Sequence, residues 1–109
     1  MKNNVDNKNN NKVVLTGEIV STPVYNHEVF GEKFYTFDME VPRNSDACDV
    51  LPIMVSDRLL KMENIKVGNL YKITGQFRSY NKQGENRKLL ILSVFAREIR
   101  ELEAEEFVG

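Results

Sequence analysis

The sequence predicts an all-β fold, a small barrel of five strands. Three observations carry this. Apolar and polar residues alternate with period two along most of the chain, and the alternating segments follow one another at hairpin-like spacing. Gly17 and Gly75 stand at core-facing positions, where a barrel bends sharply and its strands approach closely. At 109 residues the chain has room for one hydrophobic core, which excludes a large multi-domain enzyme. With 41 % apolar and 28 % charged residues it reads as globular rather than disordered or fibrous.

Met1 to Asn11 holds six Asn and almost nothing apolar, so it reads as a flexible arm. From Lys12 a strand sets Val13, Leu15, Gly17 and Ile19 on one side and Val14, Thr16, Glu18 and Val20 on the other. Pro23 ends it, and His27 to Glu32, around Gly31, reads as the turn of a long hairpin. The second strand, Lys33 to Val41, puts Tyr35, Phe37, Met39 and Val41 inward. Pro42 to Cys48 is a polar loop. The third strand, Asp49 to Ser56, turns Leu51, Ile53 and Val55 to the core, with Pro52 marking an edge or bulge. Asp57 suits the cap of a short helix with Leu59, Leu60 and Met62 on its apolar face. The fourth strand, Leu70 to Tyr80, places Tyr71, Ile73, Gly75 and Phe77 inward; a hairpin tip at Asn81 to Glu85 leads to a last strand from Arg87 to about Arg97. The domain is expected to span 12–99, with an acidic, helix-prone tail over 100–109; Ile99 at its border, Leu102 and Phe107 lie near helical spacing. Five strands with a short helix between the third and fourth match the Greek-key OB-fold barrel, although periodicity alone also admits another small mixed barrel.

The net charge of −1 conceals a segregation along the chain: Glu18 to Asp57 sums to −6 and Arg58 to Lys88 to +6, a pattern that can become a basic stripe on one face. The longest apolar run, Leu89 to Leu92, is far too short to span a bilayer as a helix. The N-terminus does not read as a signal peptide, and the single Cys48 cannot form an internal disulfide, so a soluble cytoplasmic protein is expected.

The order of motifs resembles the bacterial-type single-stranded DNA-binding protein family. Asn11 to Ile19 looks like its opening strand, and Phe37 to Arg43 like its second strand with a closing basic residue. Val67-Gly68, then Thr74 to Tyr80, then Gly84 and Arg87, resemble its fourth strand and following hairpin. The resemblance covers roughly Asn11 to Ile99. It implies an OB-fold on which bases stack against surface aromatics, Tyr80 matching an aromatic that does this work, and it implies self-association into dimers or tetramers.

Lys72, Arg78, Tyr80, Lys82, Arg87 and Lys88 interleave cations with an aromatic, as single-stranded nucleic acid requires: charges for phosphates and flat faces for unstacked bases. The same cations also suit a solvated hairpin that protects its edges. A second group, Tyr25, His27, Phe30, Lys33 and Phe34, lies along the long hairpin and suits base stacking, subunit contact or packing over the barrel end. Arg43 suits a phosphate or an ion pair with Asp46 or Asp49. One histidine and one cysteine with no ligand cluster argue against a metal and against a Cys-His nucleophile; no cofactor is expected. Asp38 and Glu40, two apart on one strand face, read as solvated, and no Gly-rich phosphate loop is present. The reading that follows is a non-enzymatic homo-oligomer binding single-stranded DNA without marked sequence preference, in replication, recombination or repair, with replication or repair proteins as further partners. The alternative is an OB-fold protein-interaction or primosome-type accessory module with weak DNA binding, favoured by the absence of tryptophan and by the outward Asp38 and Glu40.

Overall fold

The computed structural model describes residues 11–44, 46–83 and 88–103, and of residues 80–83 and 88–89 the backbone alone. Six strands form one curved sheet: β1 (Lys12–Ile19), β2 (Val24–Val29), β3 (Glu32–Asn44), β4 (Ala47–Ser56), β5 (Leu70–Gln83) and β6 (Lys88–Leu102). Their order is β1-β5-β6-β4-β3-β2, and a short β1–β3 pairing, Glu18 with Glu40 and Ile19 with Met39, bends the sheet into a near-closed barrel. All pairings are antiparallel except β4 with β6, which meet in parallel at Ile53–Val94 and Met54–Phe95.

The core follows the period-two alternation. Ile19, Met39, Ile53, Val55, Ile73 and Val94 are fully buried, each adding about 1.5–3 kcal/mol by the usual worth of such a side chain. Gly17 and Gly75 stand where a neighbouring strand comes too close for a side chain. A Cβ at Gly17 would overlap the Glu40 carbonyl, and one at Gly75 the Phe95 carbonyl. At Gly75 the ladder also shifts: Thr74 pairs with Glu98 and Gly75 with Ala96, leaving Arg97 as an extra residue in β6.

Several features differ from the sequence reading. The polar loop expected over Pro42 to Cys48 is mostly strand, in β3 to Asn44 and in β4 from Ala47, and β5 runs through Asn81 to Gln83 into the expected hairpin tip. The long hairpin contains a sixth strand, β2, whose residues are all exposed. It covers no core, so no apolar alternation marks it, and the edge of β3 alone makes it a strand. The expected short helix is a single 3-10 turn at Met62–Asn64. Here the connection is pulled back to β1, with Gly68 N donating to Ile19 O (2.8 Å) and Ile19 N to Asn69 O (3.1 Å), while Ile65 is drawn into the core. Ser56 Oγ, rather than Asp57, accepts from the Arg58 N–H. Beyond Ile99 the chain stays in β6 to Leu102, paired with Leu70, so cross-strand pairing overrides the helical propensity of this acidic stretch; 104–109, with Phe107, lie outside the described residues, as does the expected arm over Met1 to Asn11 except Asn11, whose Oδ1 accepts from the Phe77 N–H at 3.1 Å. Finally, Phe77 faces the core side of β5 but is 37 % exposed, because past Gly75 the β5–β6 hairpin leaves the barrel. Leu92 and Leu90 continue the same face at 51 % and 72 % exposure.

Tyr71 is buried in the core, with its hydroxyl donating to Asn64 O at 2.9 Å. Desolvation raises its pKa above the ordinary value of 10.0, and the charge of Glu101 adds to the rise against an opposing backbone hydrogen bond at Lys66. The unfolded chain therefore loses this proton first, and the stability that Tyr71 contributes, complete below pH 10, falls as pH rises from there towards its folded value. Thermal melts of wild type and Tyr71→Phe should show a steeper loss above about pH 10 in the wild type. Gly75→Ala should lower unfolding stability by about 1–3 kcal/mol in a urea titration, since the added methyl meets backbone rather than a movable side chain.

Candidate nucleic-acid interface

Inward-facing neighbours settle which residues line the outer face. Val94 and Ala96 are buried, so Phe95 between them points out; Met54, between buried Ile53 and Val55, does the same. Phe34 on β3 and His27 on β2 complete a stripe across four strands. The His27 and Phe34 rings stack at 4.9 Å with planes 12° apart, and Phe34 meets Phe95 at 5.7 Å. His27 covers Phe34 and leaves it only 8 % exposed, so the accessible member of that pair is the histidine. The Asn26 side-chain oxygen lies 2.6 Å from His27 Nδ1, which orients the ring with Nδ1 as the donor.

Two cations sit at the Phe95 end. The Arg78 guanidinium lies over the ring at 4.4 Å and that of Arg97 at 5.8 Å. Gln76 Oε1 accepts from Arg78 Nη2 (3.2 Å) and from Arg97 Nη2 (3.5 Å), gathering both positive groups at one place. A guanidinium carries five donors in a planar fork, so each arginine can hold Gln76 and still present an edge to a phosphate. Between Asn26 and His27 on one side and Arg78, Ser79, Ser93 and Phe95 on the other lies an open concavity of about 300 Å³ floored by Met54, with no carboxylate in its lining. Chemically this face offers ring and thioether surface for flat apolar groups and fixed cations for anions.

Of the residues singled out in the sequence, Arg78, Phe34 and His27 come together here. Tyr80 lies two positions beyond Arg78 with its backbone opposite Ile91, and Lys82 and Lys88 follow in the same hairpin; their side chains, and Arg87 entirely, lie outside the described residues. Lys72 is exposed on β5 about 20 Å along the strand from Arg78, beside a separate concavity with Thr74, Glu98 and Arg100. Lys33 is exposed opposite Glu28. Arg43 pairs with Asp49 at 3.4 Å, both half exposed, in a wider concavity of about 770 Å³ whose rim includes Asp46. That larger hollow is the poorer anion site, because its arginine already faces carboxylates. Asp38 and Glu40 lie on the same face of β3 as Phe34 but four and six residues further along the strand, away from the stripe. Sequence reasoning missed Phe95, Met54, Gln76 and Arg97. The alternation of Val94 and Ala96 could have revealed Phe95, whereas Arg97 is aimed by the bulge and left no local signal.

A near-closed Greek-key barrel with an aromatic and cationic outer face defines the OB-fold class of nucleic-acid-binding architecture. Among solved structures the chain is similar to the N-terminal domain of PriB from Thermoanaerobacter tencongensis, a dimeric structure, at 46 % identity and TM-score 0.74, over 86 % of this chain and 98 % of that one. It shares its fold with the small single-stranded DNA-binding protein of Streptomyces coelicolor (15 % identity, TM-score 0.68, 86 % and 95 % of the two chains). The Plasmodium falciparum SSB, solved in complex with single-stranded DNA, shares it too (19 %, TM-score 0.70, 85 % and 95 %). No protein-family model matches the sequence, and no curated protein matches it. By its identity to the PriB domain the chain belongs to the OB-fold family of the single-stranded DNA-binding proteins and PriB.

Proposed function

We propose that this protein binds single-stranded DNA without marked sequence preference, as a non-enzymatic component of replication, recombination or repair. The observation that carries the reading is the pair of guanidiniums held on the Phe95 ring beside the His27–Phe34 stack. Bases stack on His27 and Phe95, and phosphates meet Arg78 and Arg97. Tyr80, Lys82, Arg87 and Lys88 extend this path along the hairpin, Lys33 and Lys72 add charge at its margins, and Arg43 joins only when a phosphate displaces Asp49. Stacking and counterion release both ignore base identity, and no bond is made or broken. The PriB relative and the DNA-bound SSB support this reading.

Titration of labelled oligo-dT at two salt concentrations tests it. The log–log salt slope should be about −0.7 per phosphate neutralised. Phe95→Ala and Tyr80→Ala should each cost about 1–3 kcal/mol of affinity, the worth of one stack. No binding at low salt, in a protein that melts normally, would leave the protein-interaction reading as the better account.

The protein acts as a homodimer in this proposal. Phe77, Leu92 and Leu90 form an apolar blade that the chain leaves uncovered, and β1 has a second edge without a strand partner from Lys12 to Gly17 among the described residues. A relative sharing 46 % identity is dimeric. Light scattering at tens of micromolar should give twice the chain mass, and Leu90→Lys with Leu92→Lys should return it to one without lowering the melting temperature. A monomeric wild type would refute the dimer.

A further inference from the structure

The β2–β3 hairpin ends in a feature that neither the barrel nor the stripe uses. Val29 pairs with Glu32, so Phe30 and Gly31 form a two-residue loop with φ of +50° and +83°, a primed turn in which asparagine or aspartate is the ordinary first residue. Phe30 occupies that left-handed position with its side chain 99 % exposed. A bulky residue there is a conformational outlier, and full exposure means that the ring returns nothing to the fold. A ring placed there suits a ligand that covers it.

We propose that Phe30 is a base-stacking platform at the far end of the single-strand path, engaged when the strand runs off the barrel along the β2–β3 hairpin. The inference rests on the nucleic-acid reading above. Continuity supports it: the same hairpin carries His27 and Phe34, and the tip lies about 10 Å of strand beyond His27. Charge does not decide against it. Glu28 and Glu32 flank the ring; Lys33 stands opposite Glu28 in the ladder, and Glu32 accepts from Ser56 Oγ and lies 3.9 Å from Arg58, so cations accompany both carboxylates near the tip. A protein partner fits less well, because Phe30 and the exposed Val29 beside it are bounded by Glu28, Glu32 and Lys33 and make a small apolar tip rather than a broad patch.

The test uses the full chain and Phe30→Asn, a substitution that suits the left-handed turn and keeps the hairpin. Oligo-dT of about 4 and about 16 nucleotides brackets the site size of one OB-fold. Phe30→Asn should bind the long oligonucleotide at least about fivefold more weakly, the low end of one base–aromatic stack, bind the short one as wild type does, and melt no lower than wild type. Equal binding of both lengths by Phe30→Asn, with Phe95→Ala weakened on both, would overturn this proposal and leave the nucleic-acid reading standing. A fall in oligomer mass for Phe30→Asn with unchanged DNA affinity would also overturn it, by assigning the ring to a protein contact. If wild type binds neither length, both readings fall together.

Discussion

The contact on which most of this structure depends is the approach of β5 to β6 at Gly75. With no side chain there, the Phe95 carbonyl comes close enough to tighten the hairpin, and the ladder takes up the bend by leaving Arg97 unpaired in β6. On one side of the bend the hairpin pairs with β1 and encloses Ile73 and Tyr71. On the other it leaves the barrel, exposing Phe77, Leu92 and Leu90. The same bend sets Phe95 and Arg97 beside Arg78 on the outer face, so closure of the core and construction of the candidate site share one geometric cause.

The outer face separates its charges by position along the strands. Net charge is close to zero, yet the concavity over Met54 is lined by Arg78 and by no carboxylate. β3 carries Asp38 and Glu40 on the same outward parity as Phe34, but at the end of the strand that closes on β1. Rings hold the cations in turn: a guanidinium lying on Phe95 loses rotational freedom before any ligand arrives, so less entropy is lost when a phosphate is bound.

Much of the fold was legible because burial on one side of a strand imposes period two. Ile19, Phe37, Met39, Ile53, Val55, Tyr71 and Ile73 lie in the core as their spacing requires, and both glycines sit at close strand approaches. β2 was illegible because an exposed strand has no buried face to imprint a pattern. The turn at Met62–Asn64 was read as a helix because local apolar spacing does not report that the loop must return to Ile19. In the candidate site, Arg78, Phe34 and His27 are legible in the sequence, whereas Phe95 and Arg97 lie on β6 beyond the basic stretch that ends at Lys88.

Local sequence is enough to give the all-β class, the inward and outward parity of most strands, the two close approaches at Gly17 and Gly75 and the presence of cations and rings on the same segments. These are local properties, set by side-chain alternation and by the absence of a Cβ at two positions. Tertiary structure alone decided that His27 would lie on Phe34, that two arginines separated by 18 residues of strand and turn would share one ring and one glutamine, and that Phe77 would fall outside the core. Each of these depends on register and on where a strand leaves the barrel. Those quantities are fixed by pairing between segments distant in the chain, and no single segment encodes them.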